Sequence, residues 1–92
     1  MSGIGLFYGM TTKGKSPSSE LPPGDLIKTI GARFKVLREQ RGYTNYEKFA
    51  NAKDLNRTQY GKYEKGRDLR LSSLIKVARA LEVSLEELFK GL

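Results

Sequence analysis

The chain has 92 residues, 38% hydrophobic and 29% charged, the composition of one small soluble domain near the lower size limit for a self-sufficient core. Cys, His and Trp are absent, which excludes thiol and imidazole nucleophiles, disulfides and the common zinc ligand sets; a reducing, cytoplasmic setting with no cofactor or metal is expected. Seventeen Lys+Arg against ten Asp+Glu give a net charge of +7, which points to a polyanionic partner, and no apolar run approaches the roughly 18 residues that cross a bilayer.

Residues 1–24 form a distinct N-terminal arm, rich in Gly, Ser, Thr and Lys. Pro22-Pro23-Gly24 is expected to interrupt any helix and so to mark the boundary. The arm reads as a flexible tail; a short strand or packing arm around Ile4, Leu6, Phe7 and Tyr8 is the alternative. Residues 9–16 fit the phosphate-loop pattern G-x-x-x-x-G-K-[ST]. That chemistry needs a helix opening at Lys15-Ser16 and a parallel sheet behind it, whereas Pro17 follows at once and no strand pattern comes later. Gly3 to Gly9 has the wrong spacing for a dinucleotide loop. An enzyme is therefore not expected.

The remainder, residues 25–92, predicts an all-α domain of five short helices. Asp25 is placed to cap the first, with Ile27, Ile30, Phe34, Leu37 and Arg41 at three- and four-residue spacing and Arg41-Gly42 to end it. Thr44 and Glu47 make a T-x-x-E capping box for the second, whose apolar side carries Phe49 and Ala50. After a break at Lys53-Asp54, Asn56 caps a third helix over residues 57–65, with Tyr60 and Tyr63 inward and Gly66 at its end. The fourth, residues 71–81, turns Leu71, Leu74, Ile75, Ala78 and Leu81 inward. The fifth has a Ser84–Glu87 capping box and a Val83–Leu88 hydrophobic staple. Leu55 joins these apolar residues in the expected core, and the spacing of the two tyrosines favours packing there over stacking on single-stranded bases.

Charge is uneven. Residues 53–70 hold six cations against three acidic residues, a net of +3, while residues 81–92 hold Lys90 against Glu82, Glu86 and Glu87, a net of −2. The basic surface is thus expected on the third helix and the loop after it.

Two short helices joined by a tight break, the second opening Asn56-Arg57-Thr58-Gln59, make a helix-turn-helix pattern. Phe49-Ala50, Leu55-Asn56-Arg57-Thr58, Tyr63-Glu64-Lys65-Gly66, residues 74–78 and residues 81–89 carry a close resemblance to the lambda-repressor-like, XRE-type (Cro/cI-type) family of DNA-binding domains. With the first helix the resemblance covers about residues 25–89. The chain departs from the family at Asp54, where a turn glycine is usual, at residues 41–49, one residue longer than the common spacing, and at Arg70, where a capping Ser or Pro is commoner.

The resemblance implies that the third helix enters the major groove of double-stranded DNA. Arg57, Thr58 and Lys62 are then the base-reading candidates, Gln59 is adjacent to them, and Gly61 stands where the helix approaches the DNA. Asn45, Tyr46, Lys65, Arg67 and Arg70 are the phosphate candidates. Arg38 and Glu64 are implied as a partly buried ion pair that clamps the reading helix. The expected function is a sequence-specific transcriptional regulator, a repressor binding a palindromic operator as a homodimer, with no membrane association. The dimer contact falls either on Leu85, Phe89 and Leu92 or on the arm at residues 4–8. The alternative is a protein-interaction module, such as an antitoxin or adaptor, on the same fold.

Overall fold

The computed structural model describes residues 21–92; the phosphate-loop pattern and the apolar stretch of the arm lie outside the described residues. Five helices follow in order: α1 Pro23–Gln40, α2 Tyr46–Ala52, α3 Arg57–Glu64, α4 Leu71–Leu81 and α5 Leu85–Phe89. No strand occurs among the described residues, and none of their helices is long and apolar enough to cross a membrane.

Two helix starts differ from the sequence expectation. α1 begins at Pro23 behind Pro22, and Asp25 lies inside its first turn instead of capping it. A proline at the first helical position lacks only an N–H that has no intrahelical acceptor, so Pro23 opens the helix where it would break one further in. α2 is capped by Asn45, whose side-chain oxygen accepts from the backbone N–H of Glu47 at 2.7 Å and of Lys48 at 3.3 Å. The expected Thr44–Glu47 box does not form; Asn is the better N-cap and takes the role one residue later. Asn56 caps α3 by accepting from Gln59 N–H, and Ser84 with Glu87 closes the full capping box of α5.

The first four helices end alike. A residue with positive φ follows each (Gly42, Asp54, Gly66 and Glu82), and the next N–H reaches back five positions, Tyr43 to Arg38, Leu55 to Ala50, Arg67 to Lys62 and Val83 to Ala78. This is the Schellman geometry, which satisfies carbonyls that the helix leaves open and turns the chain sharply. The turn between α2 and α3 achieves it with Asp54 at φ 58°, in place of glycine.

Phe34, Phe49, Ala50, Tyr60, Val77, Ala78, Leu81 and Leu88 form the buried core, with Tyr43 edge-on to Phe49 at 5.3 Å and Tyr60 tilted against Phe49 at 5.1 Å. Val77 replaces Leu71 in the expected inner face of α4. Leu71 is 67% exposed, because the buried ridge runs through Leu74, Val77, Ala78 and Leu81. Ile75 is half-buried, as is Ile27, which stands outside the cluster.

α1 meets α3 backbone to backbone. A Cβ on Gly31 would lie 2.4 Å from the carbonyl oxygen of Tyr63 and 3.0 Å from that of Glu64. Helix propensity alone makes Gly→Ala favourable by roughly 1 kcal/mol, but here a rigid backbone occupies the space. Gly24, by contrast, has nothing within 4 Å of such an atom. Urea unfolding is therefore expected to show opposite signs: Gly24→Ala stabilised by about 0.5–1 kcal/mol, Gly31→Ala destabilised by about 1–3 kcal/mol or more.

Candidate nucleic-acid interface

α3 is the second helix of the α2–turn–α3 unit, and it presents one inner and one outer face. Tyr60 and Gly61 are buried, whereas Arg57, Thr58, Gln59 and Lys62 are all exposed. An eight-residue helix is too short to be stable alone, so its direction is set by what it packs against. Tyr60 and Tyr63 point into the cluster formed by α1, α2 and α4, which forces the polar residues outward.

The outward residues divide between two depressions. Arg57, Thr58, Lys62 and Lys65 line a cleft of about 180 Å³ together with Tyr46, Glu47 and Gly61. Gln59 lies on the other flank of α3, in a broader groove of about 550 Å³ shared with Asp54, Asn56, Asp68, Arg70 and Lys76. The four base-reading candidates therefore do not form one cluster; three face the cleft and Gln59 faces the groove. The phosphate candidates also separate. Tyr46 and Lys65 join the cleft, Arg70 joins the groove, and Arg67 is exposed in the loop between α3 and α4 without lining either. Asn45 uses its side-chain carbonyl to cap α2, which leaves its amide NH₂ as the donor for an outside acceptor.

The expectation that Gly61 admits DNA to the helix is corrected by its surroundings. A Cβ there would lie 2.5 Å from the ring of Tyr46, so the tyrosine already fills the notch. The signal was indirect: a glycine mid-helix costs about 1 kcal/mol against alanine, and a steric neighbour is the usual reason to keep one.

Behind α3, Arg38 is 3% exposed and holds Glu64 with both arms of its guanidinium, Nε to Oε2 at 2.7 Å and an Nη to Oε1 at 3.0 Å. Its other Nη donates to the carbonyl of Tyr43 at 2.7 Å, tying in the connection to α2. The hydrogen bonds that Arg38 donates to Glu64 raise the arginine's already high pKa against the opposing effect of burial. The Tyr60 hydroxyl is buried beside this pair without completing a hydrogen bond. Burial first, and the Glu64 carboxylate second, push it above the ordinary tyrosine range, so it stays protonated.

Two further arginines, Arg33 of α1 and Arg41 just past its end, bond within the fold, which the sequence reading did not foresee. Arg41 donates to the carbonyl oxygens of Leu81 at 2.8 Å and Glu82 at 3.2 Å, at the C-terminus of α4. Arg33 does the same for α5 through Leu88, at 2.9 Å, and Lys90. Cations at these helix ends satisfy open carbonyls and oppose the negative end of the helix dipole.

The sequence profile of the helix-turn-helix family matches residues 34–88. Control protein C.MunI from a Mycoplasma species is 35% identical over 69 residues, covering 74% of this chain and 93% of that protein. The crystal structure of a hypothetical transcription factor, NHTF, from Neisseria is also similar, with a TM-score of 0.63 at 25% identity over 85% of each chain.

The ion pair generates a paired expectation for stability. Arg38→Ala strands the Glu64 carboxylate in the interior and is expected to cost about 3–5 kcal/mol in urea unfolding. Tyr60→Phe removes a hydroxyl that has no partner and is expected to be neutral or stabilising, by up to about 1 kcal/mol. A large loss for Tyr60→Phe would mean that the hydroxyl is bonded within the pair.

Proposed function

Because the chain belongs to the helix-turn-helix family, and to its lambda-repressor-like, XRE-type branch, we propose that it is a sequence-specific duplex-DNA-binding transcriptional regulator that acts as a dimeric repressor on a palindromic operator. The observation that carries this reading is the cleft beside α3. It gathers Arg57, Thr58 and Lys62, the outward residues of the second helix-turn-helix helix, next to Lys65 on an exposed face. Arg57 supplies two donors that fit the major-groove acceptors of guanine, Lys62 a third cation-borne donor, and Thr58 a hydroxyl and a methyl. Gln59, on the other flank, reaches a base or phosphate on that side.

Asn45, Lys65, Arg67 and Arg70 surround the reading helix and serve the phosphate backbone, which fixes register and supplies salt-dependent affinity. The names of two relatives, a control protein and a hypothetical transcription factor, agree with a regulatory role.

The dimer rests on apolar surface away from α3. Leu85 is 39% exposed, and Phe89 and Leu92 of the same C-terminal segment are half-buried. A symmetric pair joined through this edge carries its two α3 helices to half-sites about 34 Å apart.

Selection from a random duplex library at about 150 mM salt is expected to enrich a palindrome with that half-site spacing. An unpaired half-site would remove the dimer. No enrichment would overturn the DNA reading in favour of a protein partner. On the selected duplex, Arg57→Ala is expected to abolish preference at one position, at about 1–3 kcal/mol. Lys65→Ala or Arg67→Ala is expected to weaken all duplexes alike and flatten the salt slope by about one per lost contact; a sequence-dependent loss would contradict the phosphate role.

A further inference from the structure

We propose that Tyr46 is a specificity-determining residue whose ring, seated in the notch of Gly61, makes a methyl-binding wall for thymine on the α3 reading face. This inference rests on the DNA-binding reading above and moves Tyr46 from the phosphate backbone to the bases.

Tyr46 is the first residue of α2, half-buried, and its ring reaches across to α3. The ring edge stands where the side chain of residue 61 would begin: a Cβ there would lie 2.5, 3.0 and 3.2 Å from three ring atoms. Any residue but glycine would push the ring out. The same ring lines the cleft with Arg57, Thr58 and Lys62, so it belongs to the surface those residues form. A side chain committed only to phosphates has no need of a glycine notch in the opposite helix.

The lining also indicates what the cleft accepts. The Tyr46 ring and the Thr58 methyl are apolar, Arg57, Lys62 and Lys65 line the same cleft as donors, and Glu47 is its one carboxylate. Among base edges in the major groove, only thymine presents a methyl group, and guanine presents the paired acceptors that suit Arg. The cleft is thus built for a thymine methyl beside a guanine, with Tyr46 supplying the apolar wall.

Gly61 makes the idea testable without dismantling the fold. The atoms that would meet a new Cβ at residue 61 belong to the outer end of one side chain, unlike the backbone carbonyls that crowd Gly31. Gly61→Ala therefore leaves the helices in place and displaces the ring. Two variants, Gly61→Ala and Tyr46→Ala, are compared with the double variant, with circular dichroism to establish that each is folded.

The probe is the duplex that the wild-type protein itself enriches from a random library, resynthesised with deoxyuridine at each thymidine in turn, which removes one methyl group at a time. Wild type is expected to lose about fourfold in affinity at one thymine position. Both single variants and the double variant are expected to lose that sensitivity. Their preference for the selected over an unrelated duplex falls by roughly 5- to 100-fold, the double no worse than either single.

Variants that keep the wild-type response to deoxyuridine would overturn the proposal. So would an equal loss on all duplexes, which is the signature of a phosphate contact. Failure of the parent reading is visible separately, because wild type then enriches no sequence at all and both readings fall.

Discussion

The Arg38–Glu64 pair is the constraint on which the rest of this structure depends. α3 is eight residues long and cannot hold a direction by itself. It is fastened to α1 at its C-terminal end in two ways: the bare Gly31 backbone touches the carbonyls of Tyr63 and Glu64, and about two turns further along α1 Arg38 grips the Glu64 carboxylate. The first contact fixes distance and the second fixes rotation about the contact. An ion pair this deep gains little net stability, because both charges were well solvated before folding. What it adds is exclusiveness. Any arrangement of α3 that does not bring Glu64 to Arg38 leaves a charge buried without a partner, so competing packings of so small a core are penalised heavily. The third hydrogen bond of Arg38, to the Tyr43 carbonyl, extends the same constraint to the start of the helix-turn-helix.

This division of labour changes how the net charge of +7 should be read. Arg33 and Arg38 of α1 and Arg41 at its C-cap all have their guanidinium groups bound to carbonyls or a carboxylate of the molecule itself. Lys53 lies 3.6 Å from Glu82 across the surface, a pair of small energetic value that still neutralises part of the basic segment. The exposed cations left to face a polyanion are Arg57, Lys62, Lys65, Arg67 and Arg70 on and after α3, with Lys28, Lys35, Lys48, Lys76, Arg79 and Lys90 also exposed among the described residues. Composition correctly signals an excess of positive charge, but only the fold separates arginines that hold helices together from those that meet a partner.

Local chemistry was readable and tertiary approach was not. Asn56 as a cap, the limits of α4, the Ser84–Glu87 box and the left-handed Asp54 all follow from interactions within about five residues of chain, which a sequence displays directly. The misplacements have a common origin. Asn45 and Thr44 are both competent caps, and which one serves depends on where α2 must lie to reach α3. Leu71 and Val77 are both spaced to face a core, and the rotation of α4 that chooses Val77 is set by the helices beneath it. Gly31 and Gly61 look alike as mid-helix glycines, yet one admits a backbone and the other an aromatic ring. At the candidate site, the residue types on the outer face of α3 were legible from its period. Their division between two flanks, and the entry of Tyr46 among them, required knowing what α2 and α4 place on either side.

That division gives α3 a polarised cross-section. The cleft flank carries Arg57, Lys62 and Lys65 against Glu47, while the groove flank carries Asp54 and Asp68 beside Arg70 and Lys76. A helix entering a groove lined by phosphates on both sides experiences these flanks differently. In the proposed complex the cleft side would be drawn toward its strand, and the carboxylates of the other side would resist equally close approach to the opposite strand. Attraction that is uniform around a helix supplies affinity without orientation. Attraction on one flank and balance on the other supplies a preferred roll angle, and roll decides which side chains meet base edges. On the proposed reading, the two aspartates would reduce the total charge of the basic surface while making its remaining charge directional, a property that sequence reading needs more than it needs affinity.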